Sequence, residues 1–281
     1  MESIGADFEY DRTKLLGKGA WGAVFVGNQV SLNRPVAIKI LKKELTSDPD
    51  FVRSFRREAE CLAKMTESHI VQVYSAGQQD ESHYFIMELV QGVPLSKFME
   101  KRHPFTVEEI VYVAASVAQA LKSAWNSPAK IVHRDIKPAN LMWDPETDNL
   151  KITDFGIARI TDSSKTKTGM VLGTHSYMSP EQLAGKKVSG QSDLFSLGVM
   201  LFQMVTGQLP FAGDSMAALM YKIANEDHPT PESINPKLPR CVGIVIKRAL
   251  QKDVEKRYQT GKHMADDIGK CLKIIAAEGK V

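Results

Sequence analysis

The chain has 281 residues, of which 43% are hydrophobic and 25% charged, a composition typical of globular proteins rather than disordered or fibrous ones. Its net charge is only +3 and it has no block of Lys and Arg, so nucleic acid is not an expected partner. No run of about 20 apolar residues could cross a bilayer. The N-terminus lacks the basic and apolar regions of a signal peptide, so we expect a cytoplasmic chain.

The first third of the sequence predicts an antiparallel sheet with one helix. Short apolar or β-branched runs separated by Gly, Asn and Pro are typical of strands. Asp48 and Pro49 offer an N-cap and a proline at the first helical position, before good helix formers at 51–65. The strand candidates are residues 14–17, 23–27, 36–41, 70–74 and 84–89.

The rest of the sequence is mainly helical. Thr106 and Glu109 have the spacing of a capping box. Residues 194–205 are apolar on nearly every side and end at Gly207, which predicts a buried helix with a glycine stop. Further amphipathic helices are predicted near 216–224, 241–250 and 265–275. We therefore expect an α+β fold, with a β-rich small lobe and an α-rich large lobe joined near residues 88–92.

The cysteines carry no pairing signal. Cys61, Cys241 and Cys271 are odd in number, widely spaced and not in CxxC pairs. We therefore expect reduced, inert thiols rather than a disulfide or a zinc site.

Residues 17–24, Gly-Lys-Gly-Ala-Trp-Gly-Ala-Val, fit the pattern GxGxxGxV. The dinucleotide-binding fingerprint shares these glycines, but it requires a helix directly after the third one. Here the chain continues as a strand candidate, which favours a loop between antiparallel strands whose N–H groups cover phosphates. A plain β-turn is the alternative for this motif considered by itself.

Lys39 follows Val36-Ala37-Ile38 on a strand otherwise made of core residues. It is either a solvated strand lysine or a cation that binds phosphate groups. A phosphate-binding lysine needs a carboxylate to hold it, and the predicted helix offers Glu58 and Glu60. These two project about 200° apart around a helix, so they face different surroundings.

The most specific motif is His-Arg-Asp-Ile-Lys-Pro-Ala-Asn at 133–140, followed by Asp-Phe-Gly at 154–156. Transfer of a phosphoryl group from ATP to a hydroxyl needs an acceptor for the hydroxyl proton, a cation beside the moving group and oxygen ligands for Mg²⁺. We predict Asp135 as the proton acceptor and Lys137 as the cation. The predicted metal ligands, which both carry side-chain oxygen atoms, are Asn140 and Asp154.

These two motifs resemble the catalytic loop and metal-binding triplet of the protein kinases. Their details are most similar to the bacterial, eukaryotic-like (Hanks-type) serine/threonine kinases. The resemblance extends from about Tyr10 to about Ile275. It implies the bilobal kinase fold, with residues 1–89 as the N-lobe and 90–281 as the C-lobe of one domain.

The resemblance also implies an ATP site. Lys39 would bind the α- and β-phosphates, with Glu58 rather than Glu60 as its partner. His133 would pack and bond to the backbone rather than act in catalysis. ATP and Mg²⁺ are the implied cofactors, with Mn²⁺ as a substitute. The remaining implied ATP contacts are Leu16, Gly17, Lys18, Gly19, Ala20, Trp21, Gly22, Val24, Ala37, Met87, Glu88, Val90 and Met142.

The segment after the metal-binding triplet resembles the serine/threonine branch, because Thr174 precedes Tyr-Met-Ser-Pro-Glu at 177–181 and the catalytic loop carries Lys137. Glu181 matches the glutamate that ends the activation segment, and Arg257 matches its arginine partner. By the same resemblance, the acid that braces the catalytic loop is Asp193.

Two positions depart from the family pattern. His175 stands where bacterial relatives often have Pro or a small residue, and Ser179 stands where Ala is usual. Both lie near the expected peptide groove, so the sequence leaves the peptide preference open.

Thr166 and Thr168 resemble the paired threonines that bacterial relatives phosphorylate on themselves. A phosphate adds about −1.5 to −2 charge. Arg134 and Arg159 are the expected cationic partners, and we expect phosphorylation to order this loop.

The sequence therefore predicts an ATP- and Mg²⁺-dependent kinase that modifies Ser and Thr of protein substrates and itself. A pseudokinase that only scaffolds partners is the first alternative, and its mark would be loss of a catalytic residue. A small-molecule kinase is the second, and it would not be expected to keep the peptide-groove segment at 173–181. The sequence leaves open a homodimer through the N-lobe and a membrane anchor beyond residue 281 in a longer natural protein.

Overall fold

The structure, a computed structural model of the chain, describes residues 1–19, 21–101, 105–155 and 175–277. These residues form two compact units. The first contains Met1–Gln91, and the second contains Gly92–Phe155 together with the described residues from His175 onward. Within the described ranges, no helix is both long and apolar enough to cross a membrane.

The first unit is a six-stranded sheet with one α-helix. Its strands are β1 (Glu2–Ile4), β2 (Phe8–Lys18), β3 (Gly22–Gln29), β4 (Arg34–Leu41), β5 (Val73–Gln79) and β6 (Ser82–Glu88), and its helix is α1 (Pro49–Ala63). In the sheet the strands follow the order β1-β2-β3-β4-β6-β5, and each neighbouring pair is antiparallel.

Helix α1 begins at a good capping site and packs on the sheet. Asp48 accepts a hydrogen bond from a first-turn N–H, and Pro49 occupies the first helical position. Phe55 faces inward, and its ring centroid lies 5.0 Å from that of Phe85 in β6. The helix predicted at 51–65 is confirmed with shifted ends.

The strand predicted at 70–74 is largely wrong. Ile70 and Val71 are buried in the connection before β5, so their apolar character reflects packing outside the sheet. β5 itself lies at the sheet edge and is mostly exposed and polar. An exposed edge strand needs no apolar alternation, and the pattern at β5 therefore gave no signal. β1, which pairs with the start of β2, was also not predicted.

The second unit is mainly helical. Its helices are α2 (Leu95–Lys101), α3 (Val107–Asn126), α4 (Pro180–Leu183), α5 (Gly190–Thr206), α6 (Met216–Asn225), α7 (Pro231–Ile234), α8 (Arg240–Ala249) and α9 (Gly261–Ala277). A small antiparallel sheet contains β7 (Val93–Pro94), β8 (Leu141–Asp144) and β9 (Asn149–Ile152) in that order.

Two helix predictions are confirmed in detail. Thr106 and Glu109 form both halves of a capping box at the start of α3. Helix α5 is buried along nearly its whole length, and it ends at Gly207, whose φ of +75° is left-handed. The helices predicted at 216–224, 241–250 and 265–275 correspond to α6, α8 and α9.

The cysteine prediction is wrong for two of the three residues. Cys241 in α8 and Cys271 in α9 form a disulfide, with Cα atoms 5.5 Å apart. The two helices lie side by side, which a sequence separation of 30 residues does not reveal. Cys61 is a free thiol, and burial raises its pKa, which disfavours the reactive thiolate.

Candidate active site

The hairpin of β8 and β9 brings two predicted metal ligands together. Asn140 directly precedes β8, and Asp154 lies two residues beyond β9. Leu141 pairs with Ile152, and the N–H of Thr153 donates to the Asn140 carbonyl at 2.9 Å. Asn140 and Asp154 therefore lie at the same end of the hairpin, as expected from the antiparallel ladder.

Asp135 is flanked by a cation and an amide. Lys137 Nζ donates to Asp135 Oδ2 at 2.8 Å. Asn140 Nδ2 donates to the same oxygen at 3.1 Å and to the Asp135 carbonyl at 2.8 Å. The side chains of Asp135 and Lys137 keep 15% and 19% exposure, so the carboxylate is accessible while held in place. The predicted catalytic residues of this loop are thus in direct contact.

His133 makes the structural contacts that the resemblance implied. It is fully buried, its Nδ1 accepts the N–H of Asp135 at 3.2 Å, and its Nε2 lies 3.1 Å from the Thr153 carbonyl. Because Nδ1 accepts, the ring hydrogen is on Nε2 and faces that carbonyl. The ring centroid also lies 4.4 Å from that of Phe155. His133 therefore ties the catalytic loop to the segment after β9.

Asp193 in α5 holds the backbone at the start of the loop. Its two carboxylate oxygens accept the N–H groups of His133 and Arg134, both at 2.7 Å. Arg134 needs such support because its φ of +67° lies in the left-handed region, which is unfavourable for a residue with a Cβ. Burial raises the pKa of Asp193 to about 7, although these two backbone donors act in the opposite direction. The contact predicted between Asp193 and the catalytic loop is observed.

The predicted pair of Glu181 and Arg257 is also observed. The guanidinium binds the carboxylate with two bonds of 2.7 and 2.8 Å, and Ser192 Oγ donates to Glu181 Oε1 at 2.6 Å. Burial by itself would raise the pKa of Glu181, but the bonds from Arg257 and Ser192 hold it below the ordinary value. The pair fixes α4 to the segment between α8 and α9, and Ser192 links it to α5.

In the first unit, Lys39 pairs with Glu58 of α1. Nζ lies 2.9 Å from Glu58 Oε1, and the two side chains are only 11% and 5% exposed. Glu60 is exposed, which agrees with the prediction that it faces different surroundings from Glu58. Lys39 Nζ also lies 5.3 Å from the centroid of the Phe85 ring. A solvated strand lysine is therefore the wrong alternative for this position.

The glycine-rich segment forms a hairpin between β2 and β3. Gly17 pairs with Val24, and the Gly19 N–H donates to the Gly22 carbonyl at 2.9 Å. A Cβ at Gly22 would lie 2.3 Å from the Ile40 carbonyl, so only glycine fits there without a shift of the sheet. The chain continues as a strand after this hairpin, which excludes the dinucleotide-binding fingerprint.

Several predicted ATP contacts share one face of the first unit's sheet. Lys39 pairs with Val24 on one side, and Ala37 pairs with Met87 on the other. Residues two apart on a strand face the same way, so these four side chains line one surface. The other predicted ATP contacts lie on several elements. In the first unit, Leu16 and Lys18 lie in β2, Trp21 packs against Phe51 of α1, and Glu88 and Val90 lie at and after the end of β6. Met142 lies in β8 of the second unit.

Five predicted residues lie outside the described ranges. They are Ala20, Arg159, Thr166, Thr168 and Thr174. Sequence reasoning in turn missed two residues that contact the site. Ser192 bonds to Glu181, and Gln182 bonds to the carbonyl of Arg134 at 3.0 Å. The capping-box spacing of Ser179 and Gln182 was a signal in the sequence that could have identified Gln182.

The donor set fits a hard cation bound together with a nucleotide. Within the described ranges, no group of three or more His, Cys, Asp or Glu residues could hold a metal ion by itself. Asn140 and Asp154 supply an amide oxygen and a carboxylate, the donor types that Mg²⁺ prefers, and such sites usually add phosphate oxygens. The Asn140 amide nitrogen bonds to Asp135, which directs its oxygen away from that residue.

Comparison with known sequences gives consistent results. The protein kinase domain family matches residues 10–268. The chain is 36% identical to the serine/threonine-protein kinase PrkC of Bacillus subtilis over 92% of its own length and 40% of PrkC. It is 38% identical to the serine/threonine-protein kinase PknB of Mycobacterium tuberculosis over 92% of its own length and 42% of PknB. The chain thus spans about two fifths of these curated relatives.

Solved structures have the same fold. A point mutant of the PknI kinase domain of Mycobacterium tuberculosis superposes with a TM-score of 0.72 at 26% identity, covering 97% of this chain and 99% of that one. Rad53 in complex with AMP-PNP gives a TM-score of 0.77 at 25% identity, covering 93% of this chain and 64% of that one.

Proposed function

Because the chain belongs to the protein kinase domain family and has its fold, we propose that it transfers the γ-phosphoryl group of ATP to serine and threonine hydroxyls of proteins. The observation that carries this proposal is the contact of Asp135 with Lys137 and Asn140 in one loop. Residues 1–89 and 90–281 form the N-lobe and C-lobe of one kinase domain in this proposal.

Asp135 orients the acceptor hydroxyl and takes its proton as the phosphoryl group is transferred. Its carboxylate is accessible and fixed by two donors, so it can accept a hydrogen bond from a substrate hydroxyl in a defined direction. Lys137 lies next to this carboxylate and neutralises the negative charge on the moving phosphoryl group.

Asn140 and Asp154 hold Mg²⁺, for which Mn²⁺ can substitute. When bound, the metal neutralises charge on the ATP phosphates and orients them. The hairpin fixes both ligands, because Thr153 between β9 and Asp154 bonds to the Asn140 carbonyl through its N–H and Oγ1.

Lys39 binds the α- and β-phosphates of ATP, and Glu58 keeps its ammonium in place. The glycine-rich hairpin covers the phosphates with its N–H groups. The adenine contacts apolar side chains and main-chain groups. These are Leu16, Val24, Ala37, Met87, Glu88, Val90 and Met142.

Autophosphorylation of Thr166 and Thr168 is part of the proposal, with Arg134 and Arg159 as partners of the new phosphates. Enzyme produced with a phosphatase is expected to phosphorylate a peptide more slowly than phosphorylated enzyme. A Thr166→Ala/Thr168→Ala variant should behave like the dephosphorylated form. Equal activity of all three would contradict this switch.

A scaffolding pseudokinase is less well supported. The residues whose loss marks pseudokinases are all present: Lys39, Asp135, Asn140 and Asp154. Two of them, Asp135 and Asn140, are in contact within the catalytic loop. A small-molecule kinase is disfavoured because the named relatives are protein kinases. A cytoplasmic location and an N-lobe homodimer remain proposals.

The direct test is incubation of the purified chain with radiolabelled ATP, Mg²⁺ and casein, followed by phosphoamino-acid analysis. We expect label on serine and threonine, and no transfer when EDTA is added. Unlabelled protein in the presence of Mg²⁺ would contradict the proposed activity, and label on tyrosine alone would contradict the proposed specificity.

A further inference from the structure

The carbonyl of Arg134 is held by a residue outside the catalytic loop. Gln182, in the short helix α4, donates from Nε2 to this carbonyl at 3.0 Å. Its neighbour Glu181 is fixed by the two bonds to Arg257. α4 therefore connects a buried ion pair to the backbone directly before Asp135.

This carbonyl belongs to the peptide group that joins Arg134 to Asp135. The N–H of the same peptide group donates to His133 Nδ1 at 3.2 Å. Both polar atoms of the group are thus bound, one by His133 and the other by Gln182. Rotation of this peptide would change the direction in which the Asp135 side chain leaves the backbone.

The backbone at this point needs external support. Arg134 has a φ of +67°, and a left-handed conformation of this kind is unfavourable for a residue with a Cβ and persists only where surrounding contacts impose it. The Asp193 carboxylate accepts the Arg134 N–H at 2.7 Å, which fixes the peptide group before Arg134. Gln182 fixes the peptide group after Arg134 through its carbonyl.

The orientation of the Gln182 amide follows from its own contacts. Its Oε1 accepts hydrogen bonds from the backbone N–H and the hydroxyl of Ser179, both at 3.0 Å. With the amide reversed, its NH₂ group would face the Ser179 N–H, and its oxygen would face the Arg134 carbonyl. Ser179 is fully buried, so water cannot relieve such a mismatch. The amide nitrogen therefore points at the catalytic loop.

On the basis of the proposed kinase function, we propose that Gln182 is a positioning residue for phosphoryl transfer. It holds the Arg134–Asp135 peptide in the orientation that presents the Asp135 carboxylate to the acceptor hydroxyl. It does not touch substrate itself. Its effect passes through the main chain.

Gln182→Glu separates this contact from the helix cap. Glutamate is a standard capping-box residue, so its carboxylate still accepts the Ser179 N–H. It cannot donate to the Arg134 carbonyl when ionised. We expect kcat to fall about tenfold, with the KM for ATP changed less than about twofold, because misplacing a catalytic group slows the chemical step. Gln182→Met, which removes the donor without adding charge, should lower kcat by a similar factor.

Gln251→Glu is the matched control. Gln251 lies just beyond α8 and also donates from Nε2 to a carbonyl, that of Lys247 at 3.2 Å, but in an exposed contact. The same chemical change there should leave kcat within about twofold of the wild-type value. A wild-type kcat in Gln182→Glu would overturn the proposal. So would a loss of kcat that only follows a loss of folded protein, measured by thermal unfolding of the same samples.

Hydrogen exchange provides a readout that does not depend on activity. The backbone N–H groups of Arg134 and Asp135 should exchange about tenfold faster in Gln182→Glu than in wild type or Gln251→Glu, because the loop opens more readily. Unchanged exchange would overturn the positioning effect. An inactive wild-type protein would refute the proposed function, while the exchange rates would still decide whether Gln182 holds the loop.

Discussion

The two units each contain a buried ion pair, and the pairs differ in the cation that forms them. Lys39 meets Glu58 at 2.9 Å through a compact ammonium on a flexible stem. Arg257 meets Glu181 through two bonds, and its guanidinium also donates to the carbonyls of Gln251 and Lys252 at 2.6 and 3.1 Å.

This difference makes the Lys39 pair suitable for binding a ligand and the Arg257 pair suitable for stabilising the fold. A guanidinium bound on several sides by its own chain has little capacity for a phosphate. An ammonium with three N–H groups can contact a phosphate and its carboxylate partner together. We therefore expect changes near Lys39 and Asp154 to lower activity, and changes at Arg257 to lower stability.

Among the changes expected to lower activity, Asp154→Asn should have the largest effect. Transfer should fall on the order of 10³-fold, because a metal ligand is weakened while little volume changes. Asparagine tolerates the left-handed φ of +52° found at this position, so the fold should persist. Steady-state kinetics measures the loss of transfer, and circular dichroism checks that the fold persists. Normal turnover would show that the metal assignment is wrong.

Arg257→Leu should produce the largest effect on the structural side. It leaves the Glu181 carboxylate buried without its cation, which costs about 3–5 kcal/mol. Urea unfolding followed by circular dichroism measures the loss. The double variant Arg257→Leu/Glu181→Leu should recover part of the stability, because no buried charge is left behind. An Arg257→Leu variant as stable as wild type would contradict a structural role for this ion pair.

The disulfide between Cys241 and Cys271 offers a second structural contrast. Replacing both residues by serine should lower the free energy of unfolding by about 2–4 kcal/mol, because the unfolded chain gains freedom. Dithiothreitol should lower the stability of wild type and leave the double variant unchanged. Cys61→Ser is the control, since that thiol is free. Equal stability of wild type with and without reductant would contradict a formed disulfide.

A smaller effect on activity than that of Asp154→Asn is expected from Glu58→Gln. The neutral side chain keeps its volume but holds Lys39 less firmly, so we expect kcat/KM for ATP to fall about 10- to 100-fold. Glu60→Gln, on the exposed side of the same helix, should have no effect. Equal loss in the two variants would mean that the pairing with Lys39 is not what matters.

The parts that residue patterns predicted without the family resemblance are those fixed by local chemistry. The capping box at Thr106 and the glycine stop at Gly207 are short-range signals, and both were correct. The catalytic loop followed the same logic, since Asp135 and Asn140 are five residues apart and in contact.

The parts that were missed depend on packing between distant segments. The disulfide joins helices 30 residues apart, and the contact of Gln182 with Arg134 spans 48 residues. Most of strand β5 was not predicted, because an exposed edge strand carries no apolar alternation. The pairing of Lys39 with Glu58 was implied by the family resemblance, and helix geometry added only that Glu58 and Glu60 face different surroundings.

The central claim is tested most directly by Lys39→Met, with phosphoryl transfer and thermal unfolding measured on the same sample. Methionine fills the volume of the lysine stem but cannot bind phosphate. We predict that transfer falls by on the order of 10²-fold or more, while the unfolding midpoint stays within about 2 °C of wild type. Full activity in this variant, or a loss of activity that only accompanies a loss of the folded state, would contradict the account.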